Sequence, residues 1–207
     1  MMYSLDLIGT VIFAVTGALA AGRKHLDIFG VVVVALATAL GGGTIRDVTL
    51  GSLPVFWVSQ PTYIIVAVAG ALATVVVARF VRLPHGLLAV ADAFGLAVFT
   101  VIGTERALAV GAGPLVAVLM GMATGVAGGM VRDILTGEVP LILQREIYAT
   151  ASLCGATVFV VLATYCPGQC VYAFISAVVT LGLRLAALKW NLSLPRFFPK
   201  GTSDADR

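Results

Sequence analysis

The sequence predicts an all-α integral membrane protein of seven transmembrane helices, built as a 3+3 inverted repeat with a seventh helix added. Three observations carry that prediction: an apolar composition, seven apolar runs of spanning length, and an offset of 86 residues at which the first half of the chain matches the second. Of 207 residues, 60% are hydrophobic and 11% charged, with a mean hydropathy of +1.06. Soluble proteins carry roughly 25% charged residues, and a soluble domain this apolar could not cover its own surface. The net charge of +3 calls for no nucleic-acid partner. The partner that the composition implies is the lipid bilayer.

A spanning helix needs about 20 mostly apolar residues. Cutting the chain at polar and Gly/Pro breaks predicts spans over residues 4–22, 28–45, 62–81, 86–104, 114–131, 147–165 and 171–188. No Lys or Arg precedes the first run, whereas Arg23-Lys24 follows it. That is the wrong flank for a cleaved signal, so the run reads as a retained span. Residues 1–207 form one membrane domain: repeat 1 over 4–85, repeat 2 over 86–168, the seventh helix over 169–190 and a cytoplasmic tail over 191–207.

Orientation follows from the cytoplasmic excess of Lys and Arg. Placing the N-terminus outside puts all the basic residues except Arg46 and Arg106 on the cytoplasmic side. The expected location is the inner (plasma) membrane, N-terminus out and C-terminus in.

Shifting by 86 residues brings Asp6 onto Asp92, Gly9 onto Gly95, Phe13 onto Phe99 and Gly17 onto Gly103. Thr38 then meets Thr124, Gly42-Gly43 meets Gly128-Gly129, and Arg46-Asp47 meets Arg132-Asp133. Chance matching of alanines and valines would not align Asp, Arg and Phe together. Three spans is an odd number, so the second copy enters the membrane from the opposite side. In such folds the working site lies between the copies, lined by interrupted helices.

The sharpest feature is "ATALGGGTIRD" at residues 37–47 and its echo "ATGVAGGMVRD" at 123–133. Each glycine weakens a helix by roughly 1 kcal/mol relative to alanine. Gly41, Gly42 and Gly43, with Gly125, Gly128 and Gly129 in the second copy, are therefore expected to break their helices. The freed carbonyls and the negative end of a half-helix dipole would favour a cation, with hydroxyls from Thr38, Thr44 and Thr124 nearby. The competing reading is close helix packing, for which small residues are common in membranes.

Charges at membrane depth usually face a cavity and pair. Topology puts Asp6 and Arg46 on one side and Asp92 and Arg132 on the other, which predicts the ion pairs Asp6–Arg46 and Asp92–Arg132. Asp47 and Asp133 are then free to cap the following half-helix or to face a permeating ion. Clamp and pathway roles both fit these residues. Phe13 and Phe99 hold matching places on the first and fourth helices and make either an apolar gate or a packing pair. Thr10, Thr16, Thr100 and Thr104 are further candidate pore hydroxyls, against the tendency of Thr to bond back to its own helix.

Other chemistries find no footing. "GGGTIRD" lacks the Lys-Ser/Thr of a phosphate-binding loop, and no nucleophile-base set appears, so no enzyme is expected. No Cys/His spacing reads as a metal site, and no cofactor is expected beyond a permeant K⁺ or Na⁺. His25 and His85 read as loop residues. Cys166 and Cys170 flank Pro167-Gly168 and either pair or remain free thiols.

The doubled Gly-Gly-(Gly)-x-x-Arg-Asp motif, the seven spans and the repeat resemble the prokaryotic members of the trimeric intracellular cation (TRIC) channel family. That family lies in a bacterial group labelled "glycine transporter" domain proteins, with one domain per repeat. The resemblance covers residues 5 to about 188. It implies a homotrimer with one pore per subunit, passing K⁺ and Na⁺ among helices kinked at Gly41–Gly43 and Gly128–Gly129. The Lys-Glu-Val signature of the animal members does not occur here. The leading expectation is thus a cation channel. A secondary carrier for a small solute such as glycine is the alternative, and a purely structural repeat protein is a third reading.

Overall fold

The computed structural model describes residues 2–81, 84, 86–144, 147–165 and 171–192. His85, Arg145, the Cys166/Cys170 pair and the tail beyond residue 192 lie outside the described residues. Among the described residues the chain is helical throughout: α1 (Met2–Arg23), α2 (Ile28–Thr49), α3 (Phe56–Ser59), α4 (Thr62–Phe80), α5 (Leu87–Ala109), α6 (Pro114–Leu135), α7 (Leu141–Gln144), α8 (Ala149–Tyr165) and α9 (Val171–Trp190). Six of these are long and apolar enough to cross a membrane, and α8 is a shorter apolar helix. Each predicted span is present. The additions are α3 and α7, one-turn helices in equivalent loops after α2 and α6.

The helix ends repeat as faithfully as the helices do. After α2, Gly51 takes a left-handed conformation (φ 67°), and Ser52 N–H reaches back to the Asp47 carbonyl at 2.8 Å. After α6, Gly137 (φ 67°) and the Glu138 N–H to Asp133 carbonyl bond at 2.9 Å do the same. This is the Schellman closure, which satisfies orphan carbonyls and favours glycine because a Cβ is penalised there. The α1 and α5 ends are also related by the repeat, with Gly111 (φ 82°) in one copy and His25 (φ 55°) in the other. Asp27 caps α2, its Oδ1 accepting from Gly30 N–H at 2.7 Å.

The expected breaks at Gly41–Gly43 and Gly128–Gly129 are corrected: α2 and α6 run as unbroken α-helix through both motifs. The physical reason is that an opened turn would strand backbone groups, each costing several kcal/mol in an apolar surround. That outweighs the glycines' weak helix propensity. Gly42 and Gly128 instead bring two backbones together at the crossing of α2 and α6, while Gly43 makes room for the Phe56 ring, Gly125 for Thr100 and Leu96 of α5, and Gly129 for Tyr148. A Cβ on Gly42 would collide with the Thr124 carbonyl oxygen, and one on Gly128 would lie 2.6 Å from the Thr38 carbonyl oxygen. Gly41 is different, meeting only Val131 at 3.6 Å.

Candidate functional site: two vestibules and a closed neck

On the face that carries the N-terminus, the start of α1, the end of α2 and the start of α4 meet. Asp6, Arg46 and Asp47 are all buried there. Arg46 Nε donates to Asp47 Oδ1 at 2.7 Å, and Asp47 Oδ2 accepts from Phe56 N–H at 2.8 Å, holding the first turn of α3. The Phe56 ring lies under the Arg46 guanidinium, 5.4 Å from Cζ to centroid. Tyr63 Oη donates to Asp6 Oδ2 at 3.2 Å. Among the described residues no contact of ion-pair length joins Asp6 to Arg46, which corrects the expected pair. Asp47 and the Phe56 ring have taken the guanidinium, and the Tyr63 hydroxyl has taken the carboxylate. Asp6 Oδ1 and Arg46 Nη1 remain without hydrogen-bond partners. A cavity of about 350 Å³ opens above them, lined by Arg46, Asp47, Phe56, Tyr63 and Arg106 among others.

On the opposite face the same construction forms the ion pair that the first copy lacks, with Asp92 Oδ2 left without a hydrogen-bond partner among the described residues. Arg132 Nη1 meets Asp92 Oδ1 at 2.6 Å, and Arg132 Nε donates to Asp133 Oδ1 at 2.9 Å. Asp133 Oδ2 accepts from Leu141 N–H at 3.0 Å, at the start of α7. Asp47 and Asp133 thus pair with the preceding arginine and hold the following short helix. A cavity of about 310 Å³ lies over Asp133, Thr136 and Glu138. Its rim is tied by Lys24 Nζ to Glu138 Oε1 at 2.5 Å, a bridge between the two repeats. The positions matching Lys24 and Glu138 on the N-terminal face are Val110 and Ser52, which cannot form one.

The Phe13 and Phe99 rings stack with centroids 4.9 Å apart, and both are buried. Each ring packs onto the other helix's glycine: Phe99 lies 3.1 Å from a Cβ on Gly9, and Phe13 occupies the space of a Cβ on Gly95. Thr38, Thr44 and Thr124 donate to carbonyls one turn back on their own helices, as do Thr10 and Thr104. Thr16 bonds back to Phe13, and Thr100 is bonded to Ser152. Thr38 and Thr124 are fully buried, as are Gly42, Gly43, Gly125, Gly128 and Gly129 beside them.

Three residues escaped sequence reasoning. Tyr63 holds Asp6 from 57 positions away, a partnership no local pattern signals. Tyr148 sits under the Arg184 guanidinium, 4.7 Å from Cζ to ring centroid. Arg184 did leave a signal: it is a charge inside a predicted span, and such a residue marks a buried function.

The apolar helices and the two buried Arg-Asp motifs related by the repeat define the class, a multi-pass membrane protein built from inverted repeats. The family described as Glycine transporter matches the chain twice, over residues 3–79 and 89–164. The chain belongs to that family. It is 48% identical over 199 residues to the UPF0126 inner membrane protein YadS of Escherichia coli, covering 95% of this chain and 96% of that one. A UPF0126 membrane protein of Vibrio cholerae is 45% identical, covering 95% and 83%. The fold is that of the prokaryotic TRIC channels. The solved TRIC orthologue of Rhodobacter sphaeroides superimposes with a TM-score of 0.88 at 44% identity, covering 92% of this chain and 98% of that one. A structure described as bearing on conductance through TRIC cation channels gives 0.86 at 37% identity, covering 96% and 98%.

Proposed function

We propose that the protein is a channel for monovalent cations, K⁺ or Na⁺, with one pore in each subunit of a homotrimer. The observation that supports it best is the pair of repeat-related cavities, one lined by Arg46 and Asp47 and the other by Asp133, with the stacked Phe13 and Phe99 rings buried in the helical bundle. An apolar neck of this kind opens by wetting when its rings separate. Gly42 and Gly128, with Thr38 and Thr124, form the crossing that must yield for the path to open, and Gly41, Gly43, Thr44, Gly125 and Gly129 lie beside it on the same two helices. Bare backbone on both sides lets α2 and α6 slide without side-chain interlock. Asp47 and Asp133 place carboxylates at the two mouths, which favours cations. Asp6, Arg46, Asp92 and Arg132 form the buried frame around them. The solved relatives described as cation channels support the same reading. The basic residues favour an inner-membrane protein with the N-terminus outside.

One observation favours the carrier alternative: the Asp92–Arg132 pair is closed while Asp6 and Arg46 stand apart. Inverted repeats caught in unlike states fit alternating access. Purified protein in planar bilayers with K⁺ as the only permeant cation separates the two. Unitary current steps are expected. Saturable glycine uptake into liposomes without such steps would replace the channel with a carrier.

A further inference from the structure

The two repeat-related arginines place their guanidinium groups differently. Arg132 Nη1 meets Asp92 Oδ1 at 2.6 Å, whereas the matching atoms of the first copy, Arg46 Nη1 and Asp6 Oδ1, are buried without a hydrogen-bond partner. Buried polar atoms left unpaired are costly, so something must keep the first pair from closing. The matched glycines show what it is. Around the place of a Cβ on Gly129 lie Tyr148 Oη at 2.9 Å, Asp92 Oδ1 at 3.2 Å and Arg132 Nη2 at 3.5 Å, so the closed pair borders the space over that glycine. Over Gly43, its repeat mate, the same space holds the Phe56 ring, with Cε1 2.5 Å and Cζ 2.9 Å from a Cβ there. The other neighbours do not account for the difference. Asp47 and Asp133 make the same two bonds in both copies, to the preceding arginine's Nε and to the N–H that starts the following short helix. A tyrosine hydroxyl lies beside the acid in both, Tyr63 at Asp6 and Tyr148 near Asp92. Arg106 lines the first cavity, but it is exposed, and among the described residues no contact of ion-pair length joins it to Asp6 or Asp47. What changes is the residue that starts the short helix: Phe56 in one copy, Leu141 in the other.

We propose that Phe56 is a positioning residue: its ring occupies the place in which Asp6 and Arg46 would close, and α3 is the movable wedge that decides between an open and a closed pair. The ring also attracts the guanidinium to itself, 5.4 Å from Cζ to centroid. The wedge is lightly held. No residue of α3 is buried, its start hangs on the Asp47 Oδ2 bond, and the ring packs edge-on to Tyr63 with centroids 4.7 Å apart. Phe56 lines the cavity of about 350 Å³, which gives the ring room to withdraw. Closure of the pair would draw the start of α1 toward the end of α2. Phe13 lies about two turns along α1 from Asp6, and Gly42 about one turn before Arg46 on α2. The movement therefore reaches both the stacked rings and the α2–α6 crossing. That consequence rests on the cation-channel reading; the wedge itself does not.

The test measures thermal unfolding of the full chain in detergent, with and without Asp6→Asn, in the wild type and in Phe56→Leu, Phe56→Ala and Phe56→Tyr. Phe56→Leu installs the residue of the second copy, and Phe56→Ala removes the side chain beyond Cβ in case leucine fills the same space. In the wild type and in Phe56→Tyr, which keeps the ring, Asp6→Asn is expected to lower Tm only slightly. In Phe56→Leu or Phe56→Ala the pair closes, and the loss on Asp6→Asn is expected to grow toward that of Asp92→Asn. Tyr63 is present throughout, so a general loosening of the fold would not enlarge the Asp6 effect. Equal losses in all backgrounds would overturn the inference and leave the channel reading intact. In parallel, single-channel dwell times are recorded in KCl. Phe56→Leu is expected to shift the open probability, and Asp6→Asn added to it is expected to reverse the shift. An unshifted open probability, or a shift that Asp6→Asn does not reverse, would overturn the coupling of the wedge to the path. If no protein passes current, the channel reading falls and the Tm comparison still decides the wedge.

Discussion

At the scale of single residues, the six glycines of the two motifs divide by what faces them. Gly42 abuts the Thr124 carbonyl, so Gly42→Ala forces the α2–α6 crossing apart, whereas Gly41→Ala adds a methyl group in ordinary contact with Val131. Overpacking of this kind costs about 1–3 kcal/mol. Gly42→Ala is expected to lower the midpoint of thermal unfolding in detergent, and Gly41→Ala to leave it unchanged or raise it slightly. Equal effects would mean that the crossing is not where the glycines matter. The buried pairs divide likewise. Asp92→Asn removes the charge that faces Arg132 at 2.6 Å while Asp133 stays in place, so its cost is expected to lie below the about 3–5 kcal/mol of a buried pair broken outright. Asp6→Asn breaks no direct ion pair and keeps an acceptor for Tyr63, so its cost is expected to be the smaller of the two. Comparing the two Tm losses checks it.

At the scale of elements, the helix ends invite a cleaner comparison, because they lie away from the path. His25 occupies a left-handed position that its repeat mate fills with Gly111. A left-handed L-residue costs roughly 1–2 kcal/mol, so His25→Gly is expected to raise the unfolding midpoint. Asp27→Ala removes the α2 cap and is expected to cost about 1 kcal/mol, with conduction unaltered. The seven spans were legible in the sequence because hydropathy and length decide a span almost alone. The repeat was legible because Asp, Arg and Phe align where small apolar residues would align anyway. The continuity of α2 and α6 was not legible. Glycine clusters look the same whether they open a helix or let two helices touch, and only the Thr38 and Thr124 carbonyls on the facing helix decide between them. The partner of Asp6 was hidden for a related reason: topology placed it on the same face as Arg46, but the competing claims of Asp47, Phe56 and Tyr63 are short-range. Arg184 reads in the charge pattern only as one more cytoplasmic cation, although its place inside a span sets it apart.

At the scale of the whole molecule, the inverted repeats build two similar buried Arg-Asp clusters and stack Phe13 on Phe99, and α9 stands outside that symmetry. Large apolar side chains such as Phe29, Phe80, Phe174 and Trp190 remain exposed on the helical bundle, as a surrounding bilayer would require. Chemical cross-linking in native membranes is expected to give a ladder that stops at three copies; a ladder ending at two would remove the homotrimer. The central claim is that cations cross each protomer between the two vestibules, through the place where Phe13 stacks on Phe99. Single-channel recording of Phe13→Ala and Phe99→Ala, alone and together, tests it most directly. A longer-open or leakier channel that still prefers K⁺ over Cl⁻ is expected, with the double variant the leakiest. Currents identical to the wild type in all three, from protein that remains folded, would place the path elsewhere.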